Sequence, residues 1–205
     1  MGTLLNRRRY MSGGGSSPLP YDAEVEYLET SSTNKGIINT GVIPDETTVL
    51  KIKFINTTVT GTIILGYSGD DTKDWRLFNS NQRIYFDTYN NTRLQGVNGT
   101  LAVNTLYEFE LGNYYVKDIP TDTILLQGTQ YTGTGYGYIS LWGETSARLS
   151  YNRIYYCQIY QAGQLVRDLI PVRIGQVGHL FDRVNRVLYS NRISQDFILG
   201  PDITT

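Results

Sequence analysis

Residues 49–55 place apolar and polar side chains on alternate positions, with Val49, Lys51 and Lys53 on one side and Leu50, Ile52 and Phe54 on the other. A period of two is the signature of a half-buried strand, and it excludes a helix over the same stretch. The pattern returns along the chain. Residues 106–111 set Leu106, Glu108 and Glu110 against Tyr107, Phe109 and Leu111. Short strand-like runs cover 62–67, 83–89, 123–127 and 138–142, and a long one covers 151–160. That last run turns at Ala162-Gly163 and returns over 165–173, and a final pair spans 178–182 and 186–189 with its turn near Val184 and Asn185. About ten to twelve strands with such frequent turn signals predict an all-β, antiparallel sandwich or barrel. Composition agrees. The chain has 23 Thr, 18 Ile, 12 Val and 17 Tyr, against 4 Ala, 7 Glu, 5 Lys and 2 Met. The first group suits a pleated surface and the second favours helices, so a helical bundle is excluded and a doubly wound α/β fold disfavoured. With 205 residues there is material for one sizeable domain.

Several functions fall away on counting. His179 and Cys157 are the only residues of their kinds, so no intrachain disulfide forms and a Cys/His zinc site lacks ligands. A Cys-His nucleophile pair would need the single copy of each; the ordinary readings are a loop residue for His179 and a buried small hydrophobe for Cys157. The formal charge of −1 argues against nucleic-acid binding by bulk charge. No apolar run approaches the roughly 20 residues of a membrane helix. Residues 1–20 also lack the long apolar stretch of a signal peptide.

Those first 20 residues differ from the rest. They carry Arg7, Arg8 and Arg9 and no acid, then Gly13, Gly14, Gly15, Ser16, Ser17, Pro18 and Pro20. This reads as a basic arm and a flexible, then extended, linker. The arm has charge +3; the remainder has 15 basic and 19 acidic residues, charge −4. The asymmetry predicts an arm that docks on an acidic or polar partner, or else a solvated tail.

Two segments carry a resemblance. Residues 25–41, V-E-Y-L-E-T-S-S-T-N-K-G-I-I-N-T-G, are similar to the opening motif of a laminin-G/concanavalin-like jelly-roll family of Bacteroides phages and mobile elements. Tyr27, Leu28, Glu29, Thr33, Ile37, Asn39, Thr40 and Gly41 fit it, while Lys35 and Gly36 depart from the usual Gln-Tyr. Residues 154–173 and 177–189 resemble its closing hairpin through Arg167, Asp168, Pro171, Arg173, Gly178, Asp182 and Tyr189, with His179 out of pattern. Arg7 to Gly15 followed by Pro20 to Glu29 resembles the start of structural proteins of Bacteroides-infecting tailed phages, crAss-like phages included. The resemblance implies a concanavalin-like sandwich over 21–205 behind an arm over 1–20, in a virion.

Candidate chemistry is sparse. Glycoside hydrolysis needs two carboxylates flanking the bond. The chain has no E-x-D-x-x-E strand; Glu24 with Glu26, and Glu108 with Glu110, share strand faces, where such pairs are ordinarily solvated. Asp70, Asp71 and Asp74 form a loop that offers oxygens to calcium, although Lys73 sits inside it and Asx turns explain the same residues. Residues 131–138, Y-T-G-T-G-Y-G-Y, lack the Lys-Ser/Thr of a phosphate loop and read as a site of close backbone approach. Trp75, Trp142 and Tyr136 could stack on sugar rings, but the favoured reading places the tryptophans in the core. Tyr155, Tyr156 and Tyr160 read as rings on both faces of one strand, so either the sandwich covers both faces or another subunit covers one; the latter expects a homo-oligomer, a trimer among its forms. Arg167 and Asp168 face opposite sides, and an inward Asp168 would need Arg153 or Arg173.

The expectation is a virion structural protein with no catalytic, cofactor or metal residues. It would be a capsid decoration or head-fibre component held to other virion proteins by Arg7, Arg8, Arg9 and Tyr10. The alternative is a carbohydrate-binding host-recognition module of a tail fibre; neither reading involves nucleic acid or membrane.

Overall fold

The computed structural model describes residues 19–58, 62–67, 75–88, 92–130, 132–135, 137–145, 148–193 and 195–204. Among the described residues there is no helix, and nineteen strands follow in order. They are β1 (Ala23–Glu24), β2 (Leu28–Glu29), β3 (Ile38–Asn39), β4 (Val49–Asn56), β5 (Thr62–Tyr67), β6 (Trp75–Ser80), β7 (Arg83–Thr88), β8 (Thr92–Gln95), β9 (Leu106–Leu111), β10 (Tyr115–Asp118), β11 (Thr123–Gln127), β12 (Ser140–Leu141), β13 (Gly143–Thr145), β14 (Arg148–Leu149), β15 (Asn152–Gln161), β16 (Gln164–Ile174), β17 (Val177–Asp182), β18 (Val187–Ser190) and β19 (Ile198–Leu199). The larger sheet runs β11-β10-β9-β4-β15-β16-β17-β18, with β1 on β16, and β2 joining β15 to β19. The smaller sheet runs β3-β12-β5-β6-β7-β8, and β13 pairs with β14. Every pairing is antiparallel.

The two main sheets share one apolar cluster, the arrangement of a β-sandwich. Leu50, Ile52, Phe54, Phe109, Leu111, Cys157 and Ile159 come from the larger sheet; Leu65, Trp75, Leu77, Ile84, Phe86 and Leu141 come from the smaller. Alternation puts them there: β4 buries Leu50, Ile52 and Phe54 completely and leaves Val49, Lys51 and Lys53 on the outer side. Phe54 meets Phe109 edge-on at 5.5 Å. Burying one such ring contributes on the order of 1.5–3 kcal/mol. A satellite cluster of Ile170, Val172 and Phe181 sits on the outer side of the larger sheet, covered by Tyr21 and Leu188.

Several sequence expectations change. The run over 138–142 is not one strand. It breaks at Trp142, whose φ of 63° is left-handed and rare for a bulky residue. The strand count exceeds expectation because two-residue strands close the sheets and because β6, β8 and β10 carried no clear signal. The rings of β15 do not occupy both faces. A β-bulge between Ile154 and Tyr156 shifts the register, so Ile154, Cys157 and Ile159 point inward while Tyr155, Tyr156 and Tyr160 face outward. Gly137 answers a side chain rather than a backbone: a Cβ there would collide with the Tyr67 ring.

Candidate functional site

On the outer side of the larger sheet, opposite charges sit in register. Lys51 pairs across with Glu110, and Lys53 with Glu108. Lys51 Nζ lies 3.2 Å from Glu110 and Lys117 Nζ 3.5 Å. The Tyr115 hydroxyl donates to Glu110 at 2.8 Å, and the Tyr156 hydroxyl to Glu108 at 2.6 Å. Burial alone would raise the Glu110 carboxyl; the hydrogen bonds from Tyr115 and Lys51, with the charges of Lys51 and Lys117, outweigh it and hold the group below its ordinary value. Burial and the Glu108 carboxylate push the Tyr156 hydroxyl well above its ordinary value. Further along, Arg153 donates to Glu29 at 2.7 Å and lies over the Tyr27 ring, which meets Tyr155 at 5.5 Å. A lowered Glu110 is the reverse of what a general acid needs.

Asp168 finds neither Arg153 nor Arg173. It accepts from Gln158 at 3.1 Å and from Arg183 at 2.8 Å, because β15 and β17 flank β16 at that register. Arg153 is taken by Glu29, and Arg173 by Asp202 at 2.6 Å. The buried Asp182 accepts from the Asp168 and Val184 N–H groups and from Asn185, with Arg167 Nε at 3.7 Å. It organises the turn between β17 and β18. His179 is a strand residue, not a loop residue, and its ring faces Ser190 at 3.1 Å; burial lowers its pKa. Cys157 is buried on the inner side, where burial pushes its thiol up. The two lie on opposite faces of the larger sheet, so they form no nucleophile pair.

On the outer side of the smaller sheet, Asp87 is nearly buried and accepts from both Arg76 (2.9 Å) and Arg93 (2.7 and 2.9 Å). Phe78 stacks on Tyr85 at 4.9 Å, with both guanidiniums near the Phe78 ring. Towards the tip, Ser80, Asn81, Gln82, Arg83, Tyr85, Asn98 and Gly99 line a recess of about 500 Å³. The β6–β7 turn forms one wall, with Asn81 and Gln82 both left-handed (φ 53° and 59°). Residues 96–101 form the other. They are strapped to β7 by Gly96 N–H on Ile84 O, Thr100 Oγ1 under Ile84 N–H, and Leu101 N–H on Gln82 O. No local motif announced this recess. It joins a turn without the usual Asn-Gly to a loop about fifteen residues further on.

Of the residues singled out for stacking, Trp75 and Trp142 are both fully buried, so neither offers a face to a sugar. The Trp142 indole N–H donates to Asn152 O at 3.0 Å, and its ring meets Phe197 at 4.6 Å. Tyr136, the anchoring residues Arg7, Arg8, Arg9 and Tyr10, and the Asp70, Asp71 and Asp74 loop lie outside the described residues. The sequence matches no family model and no curated protein.

Proposed function

We propose that this chain is a non-catalytic module of a phage virion, a capsid decoration or head-fibre component of the concanavalin-like jelly-roll kind, held by its N-terminal arm. The observation that carries the reading is the seating of the first described residues. Tyr21 packs on Phe181 at 5.0 Å, Asp22 accepts from Gly175 N–H, and β1 pairs with β16, while Leu19 is exposed. These residues are held to the body, and the basic segment precedes them in the sequence. Further support comes from the strand-face carboxylates, whose partners are tyrosine and lysine donors within the chain. The phage-like motifs of the sequence point the same way.

In this reading Arg7, Arg8, Arg9 and Tyr10 lie against the shell or a neighbouring subunit, where guanidinium suits bidentate pairing with carboxylates. Residues 13–17 form the linker, and the sandwich projects outward. A homo-oligomer belongs to this reading; light scattering that returned a strict monomer at micromolar concentration would remove that part. The decisive experiment deletes residues 1–15. The remaining chain should fold, by circular dichroism, yet fail to enter particles. Full occupancy by the truncated protein overturns the proposal.

A further inference from the structure

We infer that the recess at the tip of the smaller sheet binds a saccharide bearing a carboxylate. This goes beyond the virion reading and does not depend on it. The Arg83 guanidinium is the one charged group in the lining. Its Nε and one terminal nitrogen both donate to Asn98 Oδ1, at 2.9 and 2.6 Å. That fixes the fork while leaving its charge uncompensated, because no carboxylate pairs with Arg83 among the described residues. Around it stand the Ser80 and Tyr85 hydroxyls and the Asn81 and Gln82 carboxamides, none hydrogen-bonded through its side chain among the described residues. Elsewhere on the outer surfaces comparable groups engage one another, as in Tyr156 with Glu108 or Arg93 with Asp87.

The chemistry selects a ligand class. Hydroxyls and carboxamides both donate and accept, which matches the vicinal hydroxyls of a sugar. A guanidinium that meets no carboxylate among the described residues matches one on a ligand. A volume of about 500 Å³ lies in the range of small-ligand sites, with room for a sugar ring. The turn adds an independent sign. Gln82 holds a left-handed φ that glycine would adopt without steric cost, so a carboxamide is kept at the rim against local backbone preference.

The test titrates the full chain with glucuronate, galacturonate and glucose at low salt, followed by saturation-transfer NMR. The expected result is saturable binding of at least one acid, about tenfold tighter than glucose. Arg83→Gln should reduce the acid to the affinity of glucose while keeping the wild-type melting temperature. Asn98→Ala, which frees the guanidinium, should weaken the acid by a smaller factor. Three results overturn the inference: no saturable binding of either acid, equal binding of acid and glucose, or undiminished acid binding by a folded Arg83→Gln.

Discussion

On the larger sheet Tyr156, Tyr115 and Lys51 close on Glu108 and Glu110, whereas at the tip of the smaller sheet Ser80, Asn81, Gln82 and Tyr85 surround a guanidinium that meets no described carboxylate. Both surfaces are polar, the first built from the outward positions of strands and the second largely from a turn and a loop. The difference lies in register. Cross-strand pairing sets Lys51 opposite Glu110 and Lys53 opposite Glu108, so the larger sheet satisfies itself as it forms. The recess lies at a turn, where the cross-strand neighbours of Ser80, Arg83 and Tyr85 include no carboxylate. A polar surface thus reads as scaffold or as site according to whether its groups are already engaged.

That contrast can be broken at graded cost. The largest effect is expected at Asp87, where the self-satisfied chemistry extends into the smaller sheet. Asp87→Ala leaves Arg76 and Arg93 without their shared acceptor and should cost about 3 kcal/mol in urea unfolding. A loss below about 1 kcal/mol would show that this pair is scaffold in appearance only. Tyr156→Phe removes a donor to a part-buried carboxylate and should cost about 1–2 kcal/mol in the same assay. At the recess the sign reverses. Gln82→Gly relieves a left-handed side chain and should stabilise by about 0.5–1 kcal/mol while weakening acid-sugar binding. Stabilisation with unchanged binding would separate the turn from the site.

The smallest effect is a pH dependence. Glu110 is depressed in the folded state, so its contribution is present above the ordinary glutamate range and fades as pH falls through the folded value. Glu110→Gln should therefore flatten the acid limb of a stability–pH curve and leave the alkaline limb unchanged. An acid limb as steep as that of the wild type would assign the dependence to other carboxylates.

Much of the fold was legible because one-sided strands state their period plainly. The bounds of β5, β9 and β11 match the runs read from the sequence, and the Ala162-Gly163 turn has both residues at positive φ. β6 was missed for a physical reason. Its W-R-L-F-N-S places Phe78 outward, where it stacks on Tyr85, so its hydrophobicity does not alternate although its burial does. Such a residue is explained only by the strand beside it. The bulge at Tyr155 and the left-handed Trp142 were hidden for the same reason, since both answer neighbours far along the chain. Asp168 shows the limit most clearly. Choosing its partner required the register of three strands, which placed Gln158 and Arg183 beside it. The recess was the least legible, because its lining groups become a site only when two distant turns meet.

The seating of β1 has a mechanical consequence. A pull on the N-terminal end of the described chain enters the body at Tyr21 and Asp22 and meets first the two-residue pairing of β1 with β16. Behind it stand Val25, itself buried in the core, with its bridge to Asp202, the Arg173–Asp202 ion pair, and then Leu28. Load applied at this end is therefore expected to peel this short seam before it disrupts the rest of the sandwich. In a force-extension trace that would appear as a small early yield preceding the main rupture, and Asp202→Ala should lower the yield force while leaving the main rupture unchanged.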